Sequence, residues 1–135
     1  MGIYVAESFE ALIISSEQEH GRILAARLGE YGVTPAYCCP LDAEQTVLSR
    51  EAIRLVFCDS RLIEQVYPSL CRAVHARQSR VLPVIFKCPG ETEGSLPIQR
   101  LVDVDFIAPP FEGAAIEKII RKVIASEAPR RRPLR

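Results

Sequence analysis

The residue in this chain best placed to do chemistry is Asp59. It closes the apolar run Ile53-Arg54-Leu55-Val56-Phe57-Cys58-Asp59. A carboxylate leaving the C-terminal end of a buried strand sits where open α/β sheets place their functional groups. There it could accept a phosphoryl group, bind another ligand, or bond the backbone amides that follow the strand. Other reactive side chains are few. Ser15-Ser16-Glu17 follow the apolar stretch Ala11-Leu12-Ile13-Ile14, and Lys87-Cys88 follow Leu82-Pro83-Val84-Ile85-Phe86. The two histidines, His20 and His75, fall on predicted helices, where surface positions are expected rather than metal binding. The five cysteines include no CxxC pair. Buried free thiols in a reducing cytosol are the expectation, rather than a zinc site built from Cys38, Cys39, Cys58, Cys71 and Cys88. Cys88 has no visible neighbouring base and reads as an inert thiol.

The elements that must position these groups follow from periodicity. Ala11 to Ser16 reads as a short buried strand, after which Ser16 and Glu19 fit the S-x-x-E capping box. The helix that follows carries Ile23, Leu24, Leu28 and Tyr31 on one face and stops at Gly32. Thr34 to Cys39 is a second strand. Asp42 caps a short helix with Ala43, Val47 and Leu48 inward. Ile53 to Cys58 is nearly all apolar, as a central parallel strand must be. A third helix holds Pro68 in its first turn and faces the core with Leu70, Val74 and Cys71. Val81 to Cys88 and Val104 to Ala108 are the fourth and fifth strands. Between them, Gly90, Gly94 and Pro97 allow only a short or irregular fourth helix. The last helix carries the stripe Ile116, Ile119, Ile120, Val123 and Ile124. Strands alternating with helices predict an α/β fold, a doubly wound five-stranded parallel sheet in three α/β/α layers.

The 135 residues fit one domain. Residues 1–10 form an N-terminal extension, 11–126 the folded domain, and 127–135 a disordered basic tail. The 17 basic residues equal the 17 acidic ones, so the chain as a whole is no general polyanion binder. Nothing approaches the ~20 apolar residues of a spanning helix, and no secretory signal opens the chain. Met1-Gly2 starts like a myristoylation site, but Ala6 stands where Ser or Thr is expected. A cytoplasmic protein is expected.

Three stretches in order resemble the response-regulator receiver domain, the CheY-like branch of the flavodoxin-like fold. Leu55 to Asp59 is similar to the strand that ends in the phosphoacceptor aspartate. Leu82 to Phe86 is similar to the fourth strand. Asp105-Phe106-Ile107-Ala108-Pro109-Pro110-Phe111 is similar to the fifth strand and its Lys-Pro-Phe ending. The resemblance spans roughly residues 10 to 126 and implies the strand order 2-1-3-4-5. It also implies a mechanism in which two acids and the acceptor aspartate hold Mg²⁺, while a Thr or Ser and a Lys bind the phosphoryl group. Phosphoryl transfer rests on that positioning and charge neutralisation.

Of those five groups this chain keeps Asp59 alone. Ser15 and Ser16 stand where the acids belong, and hydroxyls are poor Mg²⁺ ligands beside carboxylates. Cys88 replaces the hydroxyl residue and is a weak donor. Pro109 replaces the lysine and brings neither charge nor donor. Glu17 and Lys87 could substitute. An early start to the first helix turns Glu17 outward, and a regular fourth strand points Lys87 away from Asp59. The resemblance also implies a cis bond before Pro110 and makes Phe106 the aromatic that turns inward or outward on activation.

Three readings stay open. The first is an atypical receiver, a pseudo-receiver, acting as a non-enzymatic signalling interaction module with its Mg²⁺ site lost or weak and no other cofactor. It would bind a histidine kinase, an output protein or a second copy as a homodimer. The contact face would hold Phe106, Ile98, Leu101, Lys118, Arg121 and Lys122. The second is a phosphorelay receiver modified on Asp59, with Lys87 and Glu17 as substitutes. The third is an enzyme or small-ligand binder, such as a flavin protein, on the same fold. Against it, the Ser15–His20 loop has no glycine-rich cradle, and its acids repel phosphate. Neither membrane nor nucleic-acid binding is expected.

Overall fold

The computed structural model describes residues 9–77, 80–86 and 105–127. Its elements run β1 (Glu10–Ile14), α1 (Gln18–Gly29), β2 (Thr34–Tyr37), α2 (Ala43–Ser49), β3 (Ile53–Asp59), α3 (Ile63–Ala76), β4 (Leu82–Phe86), β5 (Asp105–Ile107) and α4 (Gly113–Glu127). The strands form one parallel sheet in the order β2-β1-β3-β4-β5. This is the doubly wound parallel sheet that the alternation predicts, in the strand order that the resemblance to receiver domains implies.

Side chains alternate across each strand, so each strand feeds two cores. Ala11 and Ile13 of β1, Leu55 and Phe57 of β3, and Val84 and Phe86 of β4 meet α1 and α4 through Leu24, Leu28, Ile116, Ile120 and Val123. Leu12, Ile14, Val56, Cys58 and Ile85 turn the other way, onto Val47 of α2 and Ile63, Val66, Leu70 and Ala73 of α3. β3 is buried on both faces, which explains its unbroken apolar sequence.

Several boundaries differ from expectation. Phe9 is buried in the first core and Glu10 already pairs with Thr34, so the folded unit begins before residue 11. β2 ends at Tyr37, two residues early, and the chain turns through a 3₁₀ segment at Pro40–Asp42. α3 begins at Ile63, which places Pro68 inside the helix rather than in its first turn. The helix tolerates it because the apolar stripe Ile63, Val66, Leu70 and Ala73 is buried against the sheet. Leu48 and Ile124 were expected inward and are 41% and 44% exposed. α2 is short enough that Val47 alone of the pair reaches the core, and Ile124 lies past the edge of the α4 stripe. Asp42 precedes α2 but makes no side-chain cap. Lys87, Cys88, Ile98, Leu101, the expected fourth helix and most of the basic tail fall outside the described residues.

Arg77, just past α3, has its guanidinium buried beneath the end of α2. Nη1 donates to the carbonyls of Val47 (3.0 Å) and Arg50 (3.2 Å), and Nη2 to that of Glu51 (3.1 Å). A cation on the open carbonyls of a helix C-terminus satisfies acceptors the helix cannot satisfy itself and complements its dipole. Burial lowers the guanidinium's proton affinity, the Glu51 carboxylate works against that, and Arg54 adds to the lowering.

Candidate functional site

β1 and β3 are neighbours, with Ile14 opposite Cys58. Their C-terminal loops therefore lie side by side, at the point where the strand order reverses direction. Asp59 ends β3 and is fully buried. Its Oδ1 accepts the backbone N–H of Arg61 at 2.9 Å, capping the 3₁₀ turn Ser60–Leu62. Its Oδ2 accepts the backbone N–H of Ser16 at 2.9 Å and the Ser16 hydroxyl as well. Both carboxylate oxygens are thus engaged, and Asp59 ties the loop after β1 to the loop after β3.

Ser16 is not the cap of α1. Glu17 occupies the N-cap position with extended backbone and no side-chain cap bond. Ser15 shapes the turn instead: its Oγ accepts from the Glu17 N–H at 3.1 Å and donates to the Glu17 carbonyl at 2.7 Å. The capping-box reading failed because the long-range partner, Asp59, outcompetes the local one for the Ser16 hydroxyl. Glu17 points outward, 3.3 Å from Arg61 Nη1, with both side chains more than two-fifths exposed. An ion pair that open contributes little to stability.

His20 is not a surface residue. Its side chain is 14% exposed, with Nδ1 3.6 Å from Glu17 Oε1. The ring stands edge-on to Phe86 (centroids 6.4 Å) and Phe111 (6.3 Å), which are themselves edge-on at 5.6 Å. Such T-shaped contacts add to the burial energy of the rings. The helical period alone cannot show that the loop before α4 folds over this part of α1.

Pro109 is half-buried and joined to Pro110 by a cis peptide bond. Phe106 lies on β5, 41% exposed. Lys118, Arg121 and Lys122 come together on the outer flank of α4, lining a shallow groove of about 400 Å³ with Ala114, Glu117 and Ala125. Arg121 pairs with Glu117 at 2.7 Å and Lys122 with Asp105 at 2.7 Å. The Arg61 N–H is one of the backbone amides after the strand that Asp59 was expected to bond. An aspartate bonding the N–H two residues on is a common turn signal.

Among the described residues, the side chains beside Asp59 do not make a Mg²⁺-type donor set. The face of Asp59 toward β1 meets two hydrogen-bond donors of Ser16 where a hard cation needs anionic oxygen. Ser15 is committed to its turn. Among the described residues, no three His, Cys, Asp or Glu side chains converge as a metal site.

Cys58, beside Asp59, is fully buried and its thiol faces the Asp59 carbonyl at 3.5 Å. Burial, then the Asp59 charge and Cys38, push its pKa far above the ordinary thiol value. The folded chain therefore keeps a proton that the unfolded chain releases above ~8.5. The stability this confers is complete below that pH and declines above it, by up to about 1.4 kcal/mol per pH unit. Urea midpoints at pH 7.5 and 9.5 should fall less in Cys58→Ala than in the parent; equal declines would assign the effect elsewhere. Cys39, expected buried, is exposed because β2 ends before it.

No protein-family model matches this chain, and no curated protein matches it significantly. Solved structures share its fold. A CheY-like receiver domain from Methylobacillus flagellatus is 20% identical with a TM-score of 0.69, covering 87% of this chain and 99% of that one. A response regulator from Thermotoga maritima is 20% identical with a TM-score of 0.69, covering 88% and 99%. NtrX from Brucella abortus, in complex with ADP, is 19% identical with a TM-score of 0.70, but this chain spans only 28% of its length. The chain has the fold of the CheY-like receiver domains. No described helix is long and apolar enough to cross a membrane.

Proposed function

We propose that this chain is an atypical receiver domain that works in signalling as a protein–protein interaction module, with Mg²⁺-dependent phosphorylation impaired or absent. One observation carries the reading. The carboxylate that would attack a phosphoryl group is buried and held by the Ser16 N–H, the Ser16 hydroxyl and the Arg61 N–H. A nucleophile whose oxygens serve as hydrogen-bond acceptors must break those bonds before it reacts. The cation and the lysine that would repay that cost in a working receiver have Ser15, Ser16 and Pro109 in their places. If these losses together exceed ~5 kcal/mol in the barrier, the rate falls more than ~1,000-fold.

The module's partner would be another signalling protein, such as a histidine kinase or an output protein, or a second copy of the chain. The contact face would be built on Phe106 of β5 and the Lys118, Arg121 and Lys122 flank of α4. An exposed aromatic on β5, and a groove on α4 lined by three cations and Glu117, suit a partner that offers an apolar residue and carboxylates able to compete for those cations.

The test is intact mass after incubation with Mg²⁺ and acetyl phosphate, with Asp59→Asn as control. Unchanged mass is expected. A phosphoryl adduct that vanishes in the control would overturn the reading and make Asp59 a working acceptor.

A further inference from the structure

Helix α1 presents a line of side chains to the segment that joins β5 to α4. His20, near its start, lies edge-on to Phe111. Arg27 Nε donates to the Phe111 carbonyl at 3.1 Å. Just past the helix end, the Tyr31 hydroxyl donates to the Gly113 carbonyl at 3.2 Å. Offsets of seven and eleven residues place all three on one helical stripe. Gly113 fits this closeness: a Cβ there would stand 3.2 Å from the Tyr31 hydroxyl.

The segment is also fixed from within. Phe111 has a φ of 61°, a left-handed conformation uncommon for a residue with a side chain. It is held by its N–H bond to the Ala108 carbonyl at 3.0 Å and by a fully buried ring against Phe86. At the other end of β5, Lys122 Nζ donates to Asp105 at 2.7 and 2.9 Å. The Arg27, Tyr31 and Lys122 tethers touch neither Asp59 nor Ser16 nor Arg61, and His20 reaches Arg61 only through the exposed Glu17.

We propose that α1 is a built-in lock on the Ala108–Gly113 segment. Arg27 and Tyr31 are its positioning residues, holding the segment's carbonyls so that its conformation does not depend on events at Asp59. The lock deepens the interaction-module reading by giving the module a constant face. It rests on that reading only for its purpose, since it can be measured without any phosphoryl donor. An adduct on Asp59 would sink the proposed function and leave the lock standing.

Amide hydrogen exchange followed by NMR on the full chain tests it. The quantity read is the rate at the Phe111 amide relative to the Leu12 and Val56 amides of the central strands, which corrects for any global loss of stability. In Arg27→Ala/Tyr31→Phe this ratio should rise at least ~10-fold, and in Tyr31→Phe alone, which removes only the hydroxyl, it should rise by a smaller factor. In Asp59→Asn it should stay within about twofold of the parent. A Phe111 amide unprotected in the parent, a ratio unmoved by the double substitution, or an equal rise in Asp59→Asn would each overturn the proposal.

Discussion

Replacing Asp59 with alanine is expected to lower the free energy of unfolding by about 2–3 kcal/mol. The reason lies in what the carboxylate joins. It accepts from the Ser16 N–H and hydroxyl on one loop and from the Arg61 N–H on the other, at the end of a strand buried on both faces. Removing it leaves donors unsatisfied beside a fully buried position, although water reaching the exposed Ser16 recovers part of the loss. Asparagine should fall between parent and alanine, because its amide keeps one acceptor oxygen and presents a donor to groups that are already donors. Urea denaturation followed by circular dichroism gives the values. The two possible roles of Asp59 separate here. A carboxylate kept for chemistry in an open pocket would cost under ~0.5 kcal/mol to replace, and that result would reopen the phosphorelay reading.

Arg77→Ala should cost about 3 kcal/mol, seen as a lowered urea midpoint and a melting temperature about 10 °C lower. The guanidinium bridges three carbonyls at the end of α2, a helix of seven residues that cannot stand on its own propensity. Lysine in its place should recover less than half of the loss. Its single ammonium cannot fork across carbonyls that the planar guanidinium spans. A loss under ~1 kcal/mol for alanine would mean that water satisfies those carbonyls as well as Arg77 does. The same experiment bears on the second core. α2 and α3 both cover the sheet face that carries Leu12, Ile14, Val56 and Cys58, and Arg77 links the end of one to the end of the other.

Most of the fold is legible in the residues. The runs Ala11–Ile14, Ile53–Cys58 and Leu82–Phe86 read as buried strands from their shortness and β-branched content, and the Ile116 to Val123 stripe reads as a helix packed on them. Burial is nearly all-or-none for such segments, so periodicity reports it directly. The alternation of strand and helix then leaves few arrangements of the sheet. Edges were less legible. Ile124 and Leu48 obey the helical period yet face solvent, because the width of the stripe that a neighbour covers is set by that neighbour and not by the helix itself.

The site divides in the same way. Sequence alone placed Asp59 at a strand end beside Ser15 and Ser16, and showed that no acid stands at those positions and no lysine at 109. That much follows from residue types together with the resemblance to receiver domains, which supplies the strand order and the positions to compare. Which group each side chain serves was decided by tertiary structure. Ser16 had a sound local partner in the start of α1 and bonds Asp59 instead, 43 residues away. His20 sits on a helix that reads as solvent-facing there and is covered by Phe111 from beyond β5. Arg77, which no sequence pattern singles out, is buried under carbonyls some 30 residues earlier. A polar side chain carries a short list of possible bonds but no preference among partners that the backbone has yet to bring near. Hydrophobic pattern is a property of a segment, and hydrogen-bond partnership is a property of the assembled fold.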